Sequence, residues 1–342
     1  MLAVCSSLLG ACSLPGGPNG VGSVTPTVKL GLSAPFEGLY RDLGYEVLNA
    51  VRLAVRQRNA AGGLGGRYLV ELVALNDFNE PQEAARQAGE MAADPDILGV
   101  LGGWSAETAR QASPEYRRLG LLFLVPAQDP ARLGAEAARF AAQDLGALRA
   151  VILHGENAGD AALASAFETG FASQGGAVVA TIAPSPGAPG SDWLTQALSG
   201  RPDLFLVAAD APAAAEWIAQ IRGVGYMGPV VGGPGLGSSL LVEIGGEAVE
   251  GVFYVSQFPP LQGDPGFVAG YQALSGGAPP SPISGWAYAA AGRLLDALDA
   301  VASSGTDDLS PGVMQAALPG KLDEGLGAYI YVIQPDNVFG QP

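Results

Sequence analysis

Few residues in this chain have the chemistry of a nucleophile, base or metal ligand, and their spacing argues against each role. Gly103-Trp104-Ser105-Ala106-Glu107 comes one glycine short of G-x-S-x-G, the strand-to-helix elbow that needs small flanks to expose a serine. The sole histidine, His154, ends the apolar run Val151-Ile152-Leu153, where a solvated or capped strand end is the ordinary reading. A hydrolase built on Ser105 and His154 is therefore kept only as a reading that esterase activity, lost in Ser105→Ala, would support. Gly232-Gly233-Pro234-Gly235-Leu236-Gly237 lacks G-x-G-x-x-G spacing at a helix start, and no G-x-x-x-x-G-K-[ST] occurs, so phosphate cradling is unsupported. With one His, and Cys5 and Cys12 both close to the N-terminus, the usual nitrogen and sulfur zinc site cannot be assembled. The sequence predicts no catalytic residue, no metal and no cofactor.

The elements that would position a site are easier to read. The pattern after residue 27 alternates short β-branched or leucine-rich runs with longer helical stretches, an α/β arrangement of parallel sheets covered on both faces by helices. Strands are predicted over 27–33, 68–75, 97–101, 121–125, 149–153, 177–182, 203–208, 229–231, 251–255 and 328–333. After a first helix, further helices are predicted over 80–93, 105–119, 133–145, 158–174, 191–199, 212–224, 264–274 and 283–302. In the first helix Val47, Val51, Ala54 and Val55 recur on one face while Arg52, Arg56 and Arg58 take others, and Gly62, Gly63, Gly65 and Gly66 then turn the chain. In the last, Leu294, Leu295 and Leu298 read as core, with Trp286 the exception nearest a ligand. Ligands of such sheets bind beyond the carboxyl ends of the strands, which selects the loops at 34–43, 103–108, 126–129, 155–159, 209–212 and 232–237.

Composition bounds the partners. The chain has 342 residues, enough for two lobes with separate cores, and is 48% hydrophobic. Its net charge of −16, with 33 acids against 17 basic residues, would repel a phosphate backbone and leaves no basic stripe, so nucleic acid is not an expected partner. No stretch reaches the roughly 20 apolar residues of a membrane span.

The run from Val28 to Asp77, a strand, a Pro/Gly-rich loop, an amphipathic helix, a glycine turn and a second strand, resembles the bacterial extracellular solute-binding proteins of the leucine/isoleucine/valine-binding type that feed ABC importers. Glu243 to Gly251 resembles a further stretch of that family and reads as hinge scaffold. The resemblance extends over about residues 27–338. It implies the type 1 periplasmic-binding-protein fold, two Rossmann-like lobes with a cleft between them. An N-terminal lobe of 27–132 with 257–318 and a C-terminal lobe of 133–256 with 319–338 are expected, with crossings near 130–135, 255–258 and 318–322. Two departures are visible: the family carries an extra strand between Pro126 and the helix near Leu133, and a longer segment than Lys321 to Gly327 before the final strand. Leu9-Gly10-Ala11-Cys12 resembles a lipobox, which makes Cys12 the lipid-anchor candidate and residues 1–26 a signal segment and flexible tether.

Carrying the family's pattern over residue by residue places Trp104, Ser105 and Ala106 where its members hold an amino-acid carboxylate. Pro126-Ala127-Gln128-Asp129 stands where the family receives the ammonium on an alanine carbonyl and a threonine hydroxyl, so Asp129 replaces the hydroxyl. Ala158 and Asp210 occupy positions of covering aromatics, and Pro234 that of an acid that pairs with the ammonium. Tyr40 joins Trp104 as an aromatic wall. Asp129 and Asp210, if both face the cleft, need a cation or donor to offset desolvation, which points to an amine-bearing or polyhydroxylated ligand; the other reading of each is a cap of the turn or helix that follows. The expected function is that of an extracytoplasmic, lipid-anchored periplasmic monomer that closes on an amino acid or related amine and delivers it to an ABC permease and ATPase, without catalysis. The alternative is a sensing or protein-binding module on the same fold.

Overall fold

The computed structural model describes residues 25–126, 128–185, 187, 190–259, 265–304, 309–310, 312–313, 328–334 and 339–342. Cys12, Ala127, the expected third crossing at 318–322 and the segment Lys321 to Gly327 lie outside the described residues.

Two sheets organise the chain. The first runs β2-β1-β3-β4, all parallel, from β1 (Thr27–Ala34), β2 (Leu69–Asn76), β3 (Ile97–Leu101) and β4 (Phe123–Leu124). Helices α1 (Arg41–Ala60), α2 (Pro81–Ala93) and α3 (Ala106–Arg118) connect these strands. After α4 (Pro130–Arg139), the second sheet takes β5 (Arg149–His154), β6 (Ala177–Ile182), β7 (Leu204–Ala208), β8 (Val230–Gly232) and β9 (Phe253–Ser256). Its connecting helices are α5 (Ala158–Ser173), α6 (Gly190–Ser199), α7 (Ala211–Gly223) and α8 (Ser239–Gly245). The chain then returns through α9 (Pro265–Ser275) and α10 (Pro282–Ser303), which pack on α1, and ends with β10 (Tyr329–Ile333) and β11 (Phe339–Gly340). The strand order is β11-β10-β9-β8-β7-β5-β6. Five of these strands are parallel, but β10 runs antiparallel to β9 and β11 antiparallel to β10, so this sheet is mixed rather than wholly parallel.

Each sheet has its own core, as the apolar periodicity requires. Leu30 and Leu32 of β1 are fully buried against Val47 and Val51 of α1 and Leu294, Leu295 and Leu298 of α10. In the second sheet Phe205 and Val207 of β7 pack with Trp217 and Ile218 of α7. Helix α4 begins at Pro130, not at residue 133, because the Asp129 carboxylate accepts the N–H groups of Ala131 and Arg132 and Pro130 fits the first helical position. Past Arg139 it continues as a short π-helical turn, Phe140–Asp144.

The α4–α5 contact is close because small residues face each other. A Cβ on Gly134 would stand 2.4 Å from the Leu163 carbonyl oxygen and 2.9 Å from the Phe167 nitrogen, both backbone atoms that cannot step aside. Gly134→Ala is therefore expected to lower unfolding free energy by about 2–3 kcal/mol, as overpacking does, read as a fall in the urea midpoint. A change below about 0.5 kcal/mol would mean that the helices do not meet this closely.

Two connections between the sheets run side by side. The Gln257 side chain accepts the Asp129 N–H, and the Gln128 side-chain oxygen accepts the Gln257 N–H at 3.0 Å. Two glutamines thereby tie the segment leaving the first sheet to the segment leaving the second.

Candidate functional site

The loops at the carboxyl ends of both sheets face a common cavity of about 620 Å³. Its first wall comes from the segments after β1, β2, β3 and β4, its second from those after β5, β7 and β8, and Phe258 after β9 also lines it.

Gly103 sets the first wall. It adopts φ 69°, and a Cβ there would lie 2.9 Å from the Ala109 backbone, so glycine lets the chain turn tightly into Trp104. Trp104 is buried, donates from Nε1 to the Ser33 carbonyl at 2.8 Å, and meets Trp286 edge to face at 5.8 Å. It is at once core and cavity floor. Ser105 caps α3 in a reciprocal arrangement: its Oγ accepts the Thr108 N–H at 3.3 Å, and Thr108 Oγ1 accepts the Ser105 N–H at 3.2 Å. Thr108 Oγ1 also donates to the Ser105 carbonyl at 3.0 Å and stands 3.0 Å from Ser105 Oγ.

The second wall carries the acids. Asp210 caps α7, its Oδ1 accepting the Ala213 N–H at 3.1 Å, while its Oδ2 accepts the Tyr40 hydroxyl at 2.7 Å. This bond joins residues 170 positions apart and bridges the two walls. Burial, then the hydrogen bond to Asp210, push the Tyr40 hydroxyl well above the usual phenol range, so it stays a donor. Asp160 Oδ2 accepts from the Asn157 amide at 2.6 Å, and Asn157 Oδ1 in turn caps α5 through the Asp160 N–H at 2.8 Å. Burial first, and the charge of Asp210 second, push the Asp160 carboxyl up to about 7.

The structure thus brings Tyr40, Trp104, Ser105, Ala106, Asp210 and Pro234 to one cavity. Asp129 and Ala158 do not line it, although both chain neighbours of each do. The Asp129 carboxylate turns into its own helix as the cap of α4, and Ala158 is the exposed first residue of α5. His154 lies off the cavity with Nδ1 2.8 Å from the Gly155 carbonyl oxygen, and Ser105 pairs with Thr108 instead of any base.

Residues 27–342 match the family described as periplasmic binding protein. The chain belongs to the periplasmic binding protein family. Among curated relatives, an amino acid binding protein of Pseudomonas aeruginosa is 26% identical over 99 residues, 29% of this chain and 26% of that one. The match therefore spans about a quarter of that relative's length. A Leu/Ile/Val-binding protein of Rhizobium johnstonii is 25% identical over 249 residues, 67% of each chain. Among solved structures, a leucine binding protein of Thermotoga maritima superposes with a TM-score of 0.79 at 23% identity, covering 92% of this chain and 97% of that one. The two-lobed α/β fold with an interlobe cleft is that of type 1 periplasmic binding proteins.

In this periplasmic binding protein, sequence reasoning missed Asp160, Asn157 and Phe258, all of which line the cavity. The available signal was the spacing Asn157-x-x-Asp160 at a helix start, which is that of a capping pair. It foretells the local hydrogen bonds but not that the carboxylate borders a cavity.

Proposed function

We propose that the protein is the extracytoplasmic solute-binding component of an ABC importer, closing its two lobes around a small polar ligand, an amino acid or related amine or amide. The observation that carries this reading is the cavity itself, to which loops of both sheets contribute and across which Tyr40 reaches Asp210. Contacts to both walls stabilise the closed form more than the open one, and that difference drives closure. The lobes are proposed as 27–129 with 257–318 and 130–256 with 319–338, the first boundary moved from 132 to 129 because α4 starts at Pro130 and packs on α5. Cys12 is the proposed lipid anchor, which leaves a monomeric body outside the membrane and free to meet its permease and ATPase. Among the described residues no helix is long and apolar enough to cross a membrane. The named relatives that bind leucine, isoleucine and valine support the amino-acid class.

The test is a thermal-shift screen of amino acids, amides, polyamines and sugars. A ligand present at about a hundred times its Kd stabilises the folded state by about 2.7 kcal/mol, a rise of several degrees in midpoint. A flat response across the panel would overturn solute binding in favour of a protein-binding module on the same fold.

A further inference from the structure

Two kinds of contact join the sheets beside the cavity. The first, among Gln128, Asp129 and Gln257, sits where the chain itself passes from one sheet to the other, so it holds whether the walls stand apart or together. The second joins segments far along the chain from any such passage. Tyr40, at the end of the loop after β1, donates its hydroxyl to Asp210 Oδ2 at 2.7 Å, and Asp210 follows β7. Further along the same side of the molecule, Glu46 of α1 accepts the Ser239 hydroxyl of α8 at 3.2 Å. The start of α1 thus reaches segments of the second sheet twice.

The surroundings of Tyr40 and Asp210 fit a bond between lobes. Tyr40 stands at the N-cap position of α1, yet its side chain makes no capping hydrogen bond. Phe36 and Leu43 on either side pack on the core of the first sheet, whereas the Tyr40 ring packs against the apolar cluster of the second. Asp210 offers a fixed acceptor. Its Oδ1 is held by the Ala213 N–H at 3.1 Å, which leaves Oδ2 to face Tyr40. The loop after β8 packs on its backbone: a Cβ on Gly235 would stand 2.3 Å from the Ala209 carbonyl oxygen and 3.2 Å from the Asp210 Cα. A hydroxyl donating to a carboxylate makes a stronger bond than a neutral pair, and here both partners belong to the protein, so no ligand is needed to bridge the walls.

We propose that Tyr40 and Asp210 form an interlobe latch that biases the ligand-free protein towards the closed form, the Tyr40 ring seated on the second lobe and its hydroxyl bound to Asp210. This rests on the solute-binding reading and deepens it. A ligand that meets walls already paired for part of the time supplies less of the closure itself, so the latch raises affinity for whatever solute the cleft accepts. Tyr40 and Asp210 are positioning residues in this scheme, acting through closure and not through a ligand contact.

Small-angle X-ray scattering of the full chain, stripped of solute by unfolding and refolding, tests this. Tyr40→Phe keeps the ring and removes only the hydroxyl. Asp210→Ser keeps a good helix cap but is too short to reach Tyr40. Each is expected to raise the radius of gyration by about 1 Å as the lobes swing apart, with the helix content by circular dichroism retained. The double variant should expand no further than either single one, since both remove the same bond. Unchanged radii in both single variants overturn the latch, and so does additive expansion in the double variant. Expansion accompanied by loss of helix content also overturns it, because the pair would then hold one lobe together instead of joining two. None of these outcomes bears on solute binding, which the thermal-shift panel decides separately with the wild-type chain.

Discussion

Raising the pH from 5 to 8 is expected to remove about 2.5 kcal/mol of unfolding free energy through one side chain, Glu46, and Glu46→Gln should remove that contribution. Glu46 lies on the inward face of α1, 5% exposed, where α8 and α10 close over it. Its Oε2 accepts the Ser239 hydroxyl at 3.2 Å, the nearby Ser281 hydroxyl also favours the charged form, and Oε1 is buried with no hydrogen-bond partner among the described residues. Burial opposes ionisation more strongly than these hydroxyls favour it, and among the described residues no cation acts on the group, so its pKa rises from an ordinary 4.5 to about 7. The tyrosines that face it, Tyr254 and Tyr271, are themselves pushed upward by burial and stay protonated.

The direction follows from linkage. Below pH 4.5 both folded and unfolded chains hold the proton, and nothing is lost. Between about 4.5 and 7 the unfolded chain gives up its proton while the folded one keeps it, so stability falls until the folded pKa is passed. At about 1.4 kcal/mol per pKa unit the full difference is about 3 kcal/mol. Urea unfolding at pH 5, 6, 7 and 8 reads it directly. Asp160 moves the same way, from an ordinary 3.8 to about 7, so the wild-type slope carries both groups and Asp160→Asn is expected to remove its own share. If Glu46→Gln keeps the full wild-type slope, the assignment to Glu46 is wrong.

The second large effect is expected at Trp104. Truncation to alanine removes a buried indole from the core of the first lobe, its edge contact with Trp286 and the hydrogen bond to Ser33. Loss of a buried aromatic of this size costs about 3–5 kcal/mol, and the same change empties the cavity floor, so stability and ligand affinity should fall together. Trp104→Phe keeps most of the packing and loses the Ser33 bond, for which about 1–2 kcal/mol is expected. Chemical denaturation of both variants, followed by calorimetry on the one that remains folded, separates the two roles. A stability loss below 1 kcal/mol in Trp104→Ala would show that the indole is a lid on the surface and not part of the core.

Much of the fold was legible before any coordinates. The strands that alternate with helices are where apolar periodicity puts them, since buried parallel strands need continuous apolar runs and their covering helices need one apolar stripe. The start of α4 was misplaced by three residues because the run Asp129-Pro130 looks like a loop until the carboxylate is seen to cap the helix. The antiparallel return of β10 was not legible either, because a strand's direction in a sheet depends on where the chain comes from, not on its composition.

The site divides in the same way. The rule that ligands sit beyond the carboxyl ends of strands was enough to select the loops carrying Tyr40, Trp104, Ser105, Ala106, Asp210 and Pro234. What each side chain does there was not. Asp129 and Asp210 follow strand-end loops alike, and both cap the next helix through their own backbone neighbours. Only Asp210 has a second oxygen in reach of a residue 170 positions away. Asp160 reads locally as half of a capping pair with Asn157, and becomes a cavity carboxylate only because the loops after β5 and β7 converge. Local hydrogen bonds and apolar periodicity are written within a few residues of each other, so the sequence by itself determined the strands, the helices, their class and the loops that bear the site. The direction of a carboxylate, the pairing of Tyr40 with Asp210 and the acid-lined end of the cleft arise from segments distant in the chain. Those were decided by the tertiary structure, which alone sets which charges share a space without water.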